Sequence, residues 1–111
     1  MTNIAVSDSE SSHDGSVCSG TVTGTVVVGS NSFVNINGFR IMIEDGTMEI
    51  PSHNNPPCTP PNMQSHSYSP DTFGQSFVTI EGKKIVLLND SYSGDNTWIS
   101  SSGSNSFVGV I

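Results

Sequence analysis

Three histidines and two cysteines are the residues of this chain whose types could do chemistry. His53 and Cys58 share the segment Pro51-Ser52-His53-Asn54-Asn55-Pro56-Pro57-Cys58-Thr59-Pro60-Pro61, and His66 follows it. His13 sits in a polar stretch nearer the N-terminus. Neutral imidazole nitrogens and a thiolate sulfur are the donors that zinc takes in tetrahedral protein sites. Three imidazoles and one thiolate complete such a set and leave no position for water, the mark of a structural centre. A thiolate among imidazoles favours zinc over iron. Prolines that stiffen a loop carrying two ligands lower the entropy lost on binding.

Two other readings of the same residues stand beside the metal site. The spacing fits no standard zinc finger and no Cys-x-x-Cys is present, so the histidines can equally be solvated loop residues. A Cys18–Cys58 disulfide would close a loop of about forty residues and stabilise the fold by a few kcal/mol. Synthesis in a reducing cytoplasm opposes that bond, and Cys18 beside Val17 reads more simply as a small core residue.

The elements that must position these side chains are written as a repeat. Gly29-Ser30-Asn31-Ser32-Phe33-Val34 recurs as Gly74-Gln75-Ser76-Phe77-Val78 and, letter for letter, as Gly103-Ser104-Asn105-Ser106-Phe107-Val108. The first two copies continue in parallel through Asn37-Gly38 and Glu81-Gly82 to Glu44-Asp45 and Asn89-Asp90. Asn-Gly accepts positive φ at both corners of a type I′ turn, so each continuation predicts a hairpin. The third copy supplies half a hairpin. Repeats imply copies that pack on one another. Thr21 to Val28 reads as a further strand, the Pro-rich segment as irregular loop, and all four candidate ligands fall between predicted strands. Phe33, Phe77 and Phe107 are expected to pack the interior.

Composition bounds the function. At 111 residues this is one small domain, 1–111, in which 33% of residues are apolar. So poor a core needs help from a metal, a disulfide or a partner chain. No window carries a sustained helical period, so the fold class is all-β. A formal charge of −7 with three basic residues argues against a nucleic-acid partner and against stable docking on anionic lipid. No apolar run is long enough to span a membrane, and residues 1–7 lack the pattern of a secretory signal. Synthesis in a cytoplasm is the expectation.

Taken together these motifs resemble the PAAR-repeat proteins, which cap the central spike of contractile phage tails, type VI secretion systems and related injection machines. The likeness rests on hairpins of the form Gly-Ser-x-x-Phe-Val-x-x-x-Gly-(Lys/Arg) alternating with His- and Cys-bearing loops, and spans almost the whole chain. Asp8-Ser9-Glu10-Ser11-Ser12-His13-Asp14-Gly15 is similar to the family's first loop, Gly-Asp-x-x-x-His-Gly-Gly. The name-giving Pro-Ala-Ala-Arg stretch is replaced by Phe39-Arg40-Ile41-Met42 and Lys83-Lys84-Ile85-Val86. Ser7 and Glu44 stand where the family favours Gly.

The resemblance implies a small cone of three hairpin-like repeats whose base sits on a trimeric β-helical spike, one cap per trimer. It implies a metal near the apex, held by three His and one Cys. Carried over by position these are His13, His53, Cys58 and His66, with zinc the expected ion and iron the less favoured one. It further implies a place at the tip of a virion tail baseplate or injection spike, only transient contact with a target outer membrane, and no effector extension.

Two other functions compete with the spike tip. One is a free-standing β-rich binding or adhesion module. The other is a hydrolase using His13-Asp14 and a serine, but no nucleophile elbow or oxyanion-hole motif accompanies them. An enzyme is therefore not expected.

Overall fold

The repeated phrase forms one end of the molecule, and it does so three times. The computed structural model describes residues 2–14, 17–18, 20–106 and 108–110. Its strands are β1 (Thr2–Asn3), β2 (Glu10–His13), β3 (Val22–Val27), β4 (Asn35–Ile36), β5 (Phe39–Arg40) and β6 (Thr47–Asn54). They continue as β7 (Met63–Tyr68), β8 (Thr79–Ile80), β9 (Lys83–Lys84), β10 (Ser91–Tyr92), β11 (Thr97–Ser101) and β12 (Gly109–Val110). Among the described residues one three-residue 3-10 turn, Ser93–Asp95, is the whole of the helical content, so the all-β expectation holds.

Hairpins β4–β5 and β8–β9 form where the turn signals place them. Asn37 and Gly38 take φ of 52° and 85°, and Glu81 and Gly82 take 53° and 81°, the left-handed pair that a type I′ corner requires. The third copy is not a half-hairpin. The N-terminal strand completes it: β1 pairs antiparallel with β12, Thr2 opposite Val110 and Asn3 opposite Gly109.

The same side-chain clamp closes all three. Asn31 donates to the carbonyls of Val34 (2.7 Å) and Ile41 (2.9 Å) and accepts from the amides of Phe33 and Val34. Gln75 does the same with Val78, Ile85 and the Phe77 amide. Asn105 does so with Val108 and, across the chain termini, Ile4. All three amides are buried, so each clamp satisfies backbone groups that would otherwise be costly.

Behind the hairpins the chain forms a triangle. Residues 4–6, 41–43 and 85–87 bridge one another antiparallel through Ile4 and Leu87, Val6 and Ile41, and Ile43 and Ile85. Three backbone bonds close a ring: Ala5 N–H to Val86 C=O, Val86 to Met42, and Met42 to Ala5, at 2.9 to 3.0 Å. Alternation then separates two cores. Ile4, Ile41, Ile43, Ile85 and Leu87 face the short hairpins, while Ala5, Met42 and Val86 join Val26, Val28, Met48 and Ile99 on the other side.

From each side of the triangle a longer hairpin runs away from that end: β2–β3, β6–β7 and β10–β11. They lie side by side in a six-stranded sheet ordered β10-β11-β2-β3-β6-β7. The sheet curls until Thr72, just past β7, bridges Ser91 in β10. The result is elongated, 45 Å by 24 by 23 Å.

Phe33 and Phe77 do not pack the interior. They are 73% and 75% exposed, because Ile36, Ile80, Val108 and Val110 already line the core at that end. Phe107 lies outside the described residues.

Candidate metal centre

The histidines stand on strands, not in loops. β2 carries His13 at the end farthest from the triangle, β6 carries His53 near its far end, and β7 carries His66. The segment expected to be irregular is strand as far as Asn54. Pro51 is accommodated because the β6–β7 register shifts between Ile50 and His53, so its missing N–H falls at a bulge. The bulge also turns the Pro51 carbonyl to accept from His53 Nδ1 at 2.8 Å.

One ring nitrogen from each of His13, His53 and His66 lies within 4.8 Å of the other two. His13 is 0% and His53 8% exposed, and ring centroids are 4.9 to 5.2 Å apart. The surrounding hydrogen bonds set the tautomers. Thr97 spends its hydroxyl proton on the Asp95 carbonyl at 2.9 Å, so at 2.8 Å it accepts from His13 Nδ1. His53 Nδ1 donates to Pro51. Asn55 uses both amide protons on the carbonyls of His53 and Asn62, leaving its oxygen to accept from His66 Nε2 at 3.3 Å.

Each imidazole therefore has one nitrogen engaged as a donor, which in the neutral ring leaves a lone pair on the other. Nε2 of both His13 and His53 is buried without a hydrogen-bond partner. Two buried nitrogens without partners are costly unless something else satisfies them. A divalent metal answers that need, and donor bonds on the opposite ring nitrogens are the usual support of histidine ligands. Three histidines close together can hold a metal ion. Burial lowers the His66 pKa and the charges that His13 and His53 would carry push it the same way, against the opposing pull of the Asp95 carboxylate. His66 thus leans towards the neutral ring, the form that can ligate a metal.

Cys58 is placed differently from the expectation. Its sulfur is bonded to Cys18, with Cα atoms 5.8 Å apart, and both cysteines are used in this way. Cys18 is accordingly a cross-linking residue rather than a small core filler. The bond ties the tip of the β2–β3 hairpin to that of β6–β7, just beyond the histidines.

Four neighbours of the trio carried no sequence signal beyond turn propensity: Thr97, Asn55, Tyr68 and Asp95. Tyr68 stacks on His66 at 5.4 Å and on Tyr92 at 4.5 Å, and its hydroxyl donates to Asp95 Oδ2. Burial, then the Asp95 carboxylate, pushes the Tyr68 pKa up to about 12, so it stays a donor at neutral pH. The other oxygen of Asp95 stands 3.9 Å from His13 Nε2.

No protein-family model, no curated protein and no solved structure matches this chain.

Proposed function

We propose that the chain is a structural tip: a metal-stabilised cap, of the kind the PAAR-repeat proteins form, seated on a trimeric β-helical spike of a contractile phage tail or related injection device. The pseudo-three-fold hairpin end carries this reading. Three equivalent hairpins, clamped by Asn31, Gln75 and Asn105 around a closed triangle, offer one monomer three comparable faces. A three-fold-symmetric partner needs such a surface. Phe33, Val34, Phe77 and Val78 are exposed there, apolar area that a cap would bury and a free module would leave wet.

The opposite end supports the same assignment. A zinc ion on His13, His53 and His66 would join two of the long hairpins where no apolar core remains to hold them. The Cys18–Cys58 bond reinforces the same join, and such bonds persist in oxidising surroundings outside a cell. One observation favours a second reading. Three histidine ligands without a thiolate match the donor count of an open, hydrolytic zinc centre. The complete burial of His13 weighs against it.

Co-expression with a trimeric β-helical spike should yield a complex of one cap per trimer by native mass spectrometry. Phe33→Ser with Phe77→Ser should abolish that complex while leaving the free cap's melting temperature within a few degrees. Capture of a glycan or receptor with no affinity for the spike would overturn the cap reading in favour of a free binding module.

A further inference from the structure

We infer that Asp95 is the fourth protein ligand of the histidine centre, so that the metal is held by three imidazoles and a carboxylate. The inference rests on the metal reading above and deepens it. A tetrahedral zinc site places ligand atoms about 3.4 Å apart. Asp95 Oδ1 already stands 3.9 Å from the orphaned Nε2 of His13, on the side of the cluster where no hydrogen bond reaches that nitrogen. The two oxygens of the carboxylate are also differentiated. Oδ2 accepts from the Tyr68 hydroxyl, and Oδ1 is the oxygen that stands against His13. A metal-binding carboxylate held by a neighbour's hydrogen bond is the usual arrangement around such ions.

The backbone fixes the carboxylate's position as well. Asp95 ends the 3-10 turn between β10 and β11, and Asn96 follows in the left-handed region at φ 36°. The next residue, Thr97, lies opposite His13 in the β11–β2 ladder and receives its Nδ1 proton. One short stretch therefore both orients the His13 ring and carries the carboxylate. With Cys58 bonded to Cys18, no thiolate competes for the fourth position.

The consequence is architectural. β2 brings His13, β6 and β7 bring His53 and His66, and the β10–β11 turn brings Asp95. A metal so held joins all three long hairpins, including the one that has neither a histidine nor a cysteine.

Cobalt(II) reports the ligand set directly. The disulfide-bonded protein loaded with cobalt should show the intense visible bands of a tetrahedral site and no thiolate-to-cobalt charge-transfer band. Asp95→Asn keeps the side chain's shape and an oxygen for Tyr68. It should weaken zinc binding by about tenfold or more and shift the cobalt bands, while the metal-free melting temperature stays at the wild-type value. A charge-transfer band that disappears in Cys58→Ser, with Asp95→Asn binding as tightly as wild type, would overturn Asp95 and leave the metal centre standing. Failure of the wild-type protein to bind cobalt or zinc at all would remove the metal reading itself.

Discussion

The two ends of this molecule are built by opposite means. At the hairpin end the parts are repeated: the same turn in two copies and the same buried amide clamp in all three, around one backbone ring. At the histidine end nothing is repeated. His13, the pair His53 and His66, and Asp95 come from three hairpins of different length and sequence, which share one sheet but carry unlike side chains to this end. Backbone symmetry suits a surface that must face a symmetric partner. Converging unlike side chains suit a point where three strand pairs run out of core.

That contrast can be broken by changes that act on one end alone. The largest effect is expected from the cross-link. Replacing Cys18 and Cys58 by Ser frees a loop of sequence separation 40 and should cost about 4 kcal/mol of stability. Hydrogen exchange should accelerate in β2, β6 and β7 and stay slow at Ala5, Met42 and Val86. Equal acceleration at both ends would mean that they do not behave as separate units.

A smaller effect is expected from a single clamp. Asn31→Ala leaves the Ile41 carbonyl and the Val34 amide without this partner, while the Val34 carbonyl keeps the Ile41 amide, and should cost about 2 kcal/mol in denaturant unfolding. The metal affinity should be unchanged. A cost below about 0.5 kcal/mol, within the range of an ordinary surface change, would show that the clamp is replaceable by water.

The smallest effect is in acid. Asp8 and Asp45 have pKa values lowered chiefly by hydrogen bonds from the Ser104 and Ser30 side chains, with the backbone amides of the same serines contributing. A carboxyl whose folded pKa lies below its unfolded value of 3.8 contributes stability that is present above that pH and lost as pH falls through the folded value. In the second copy the carboxylate comes one residue later, from Asp90. Burial raises its pKa, so its contribution runs the other way. Asp8→Asn and Asp45→Asn should therefore flatten the loss of stability below pH 4, and Asp90→Asn should not. Identical acid limbs for all three would mean that the copies are electrostatically alike.

Much of the hairpin end was legible because its signals are local. Asn-Gly and Glu-Gly corners and the phrase ending in Phe-Val each declare themselves within a few residues. Gln75 is the telling variant: the second copy is one residue shorter, and the longer side chain reaches the same carbonyls. The completion of the third hairpin was not legible, since Thr2-Asn3-Ile4 carries no trace of the phrase and its partner lies at the other end of the chain. β2 and β7 escaped notice for a different reason. Glu-Ser-Ser-His and Met-Gln-Ser-His-Ser-Tyr lack apolar alternation because the covered positions are Ser and His in β2 and His and Tyr in β7. The same lack of alternation makes the histidines read as loop residues, although their types point to a common site. The Phe side chains were read as core from hydrophobicity alone, which cannot tell a buried ring from one kept for a partner. The cysteine pairing turned on an inference about compartment, not on residues.

The pairing of Thr2 with Val110 also governs the order in which the molecule can be made. During synthesis the first two hairpins and all three long ones can emerge and pair with neighbours close in sequence. The ring through Ala5, Met42 and Val86 needs only the first eighty-six residues or so, but the third hairpin needs strands from both ends of the chain. Closing a loop of that length is entropically demanding and slow relative to local pairing. The end that would face a partner thus needs Val110 as well as Thr2, and a chain truncated before Val110 cannot complete its third hairpin. Assembly onto a symmetric partner would then select, without any further device, only chains whose synthesis has run through Val110.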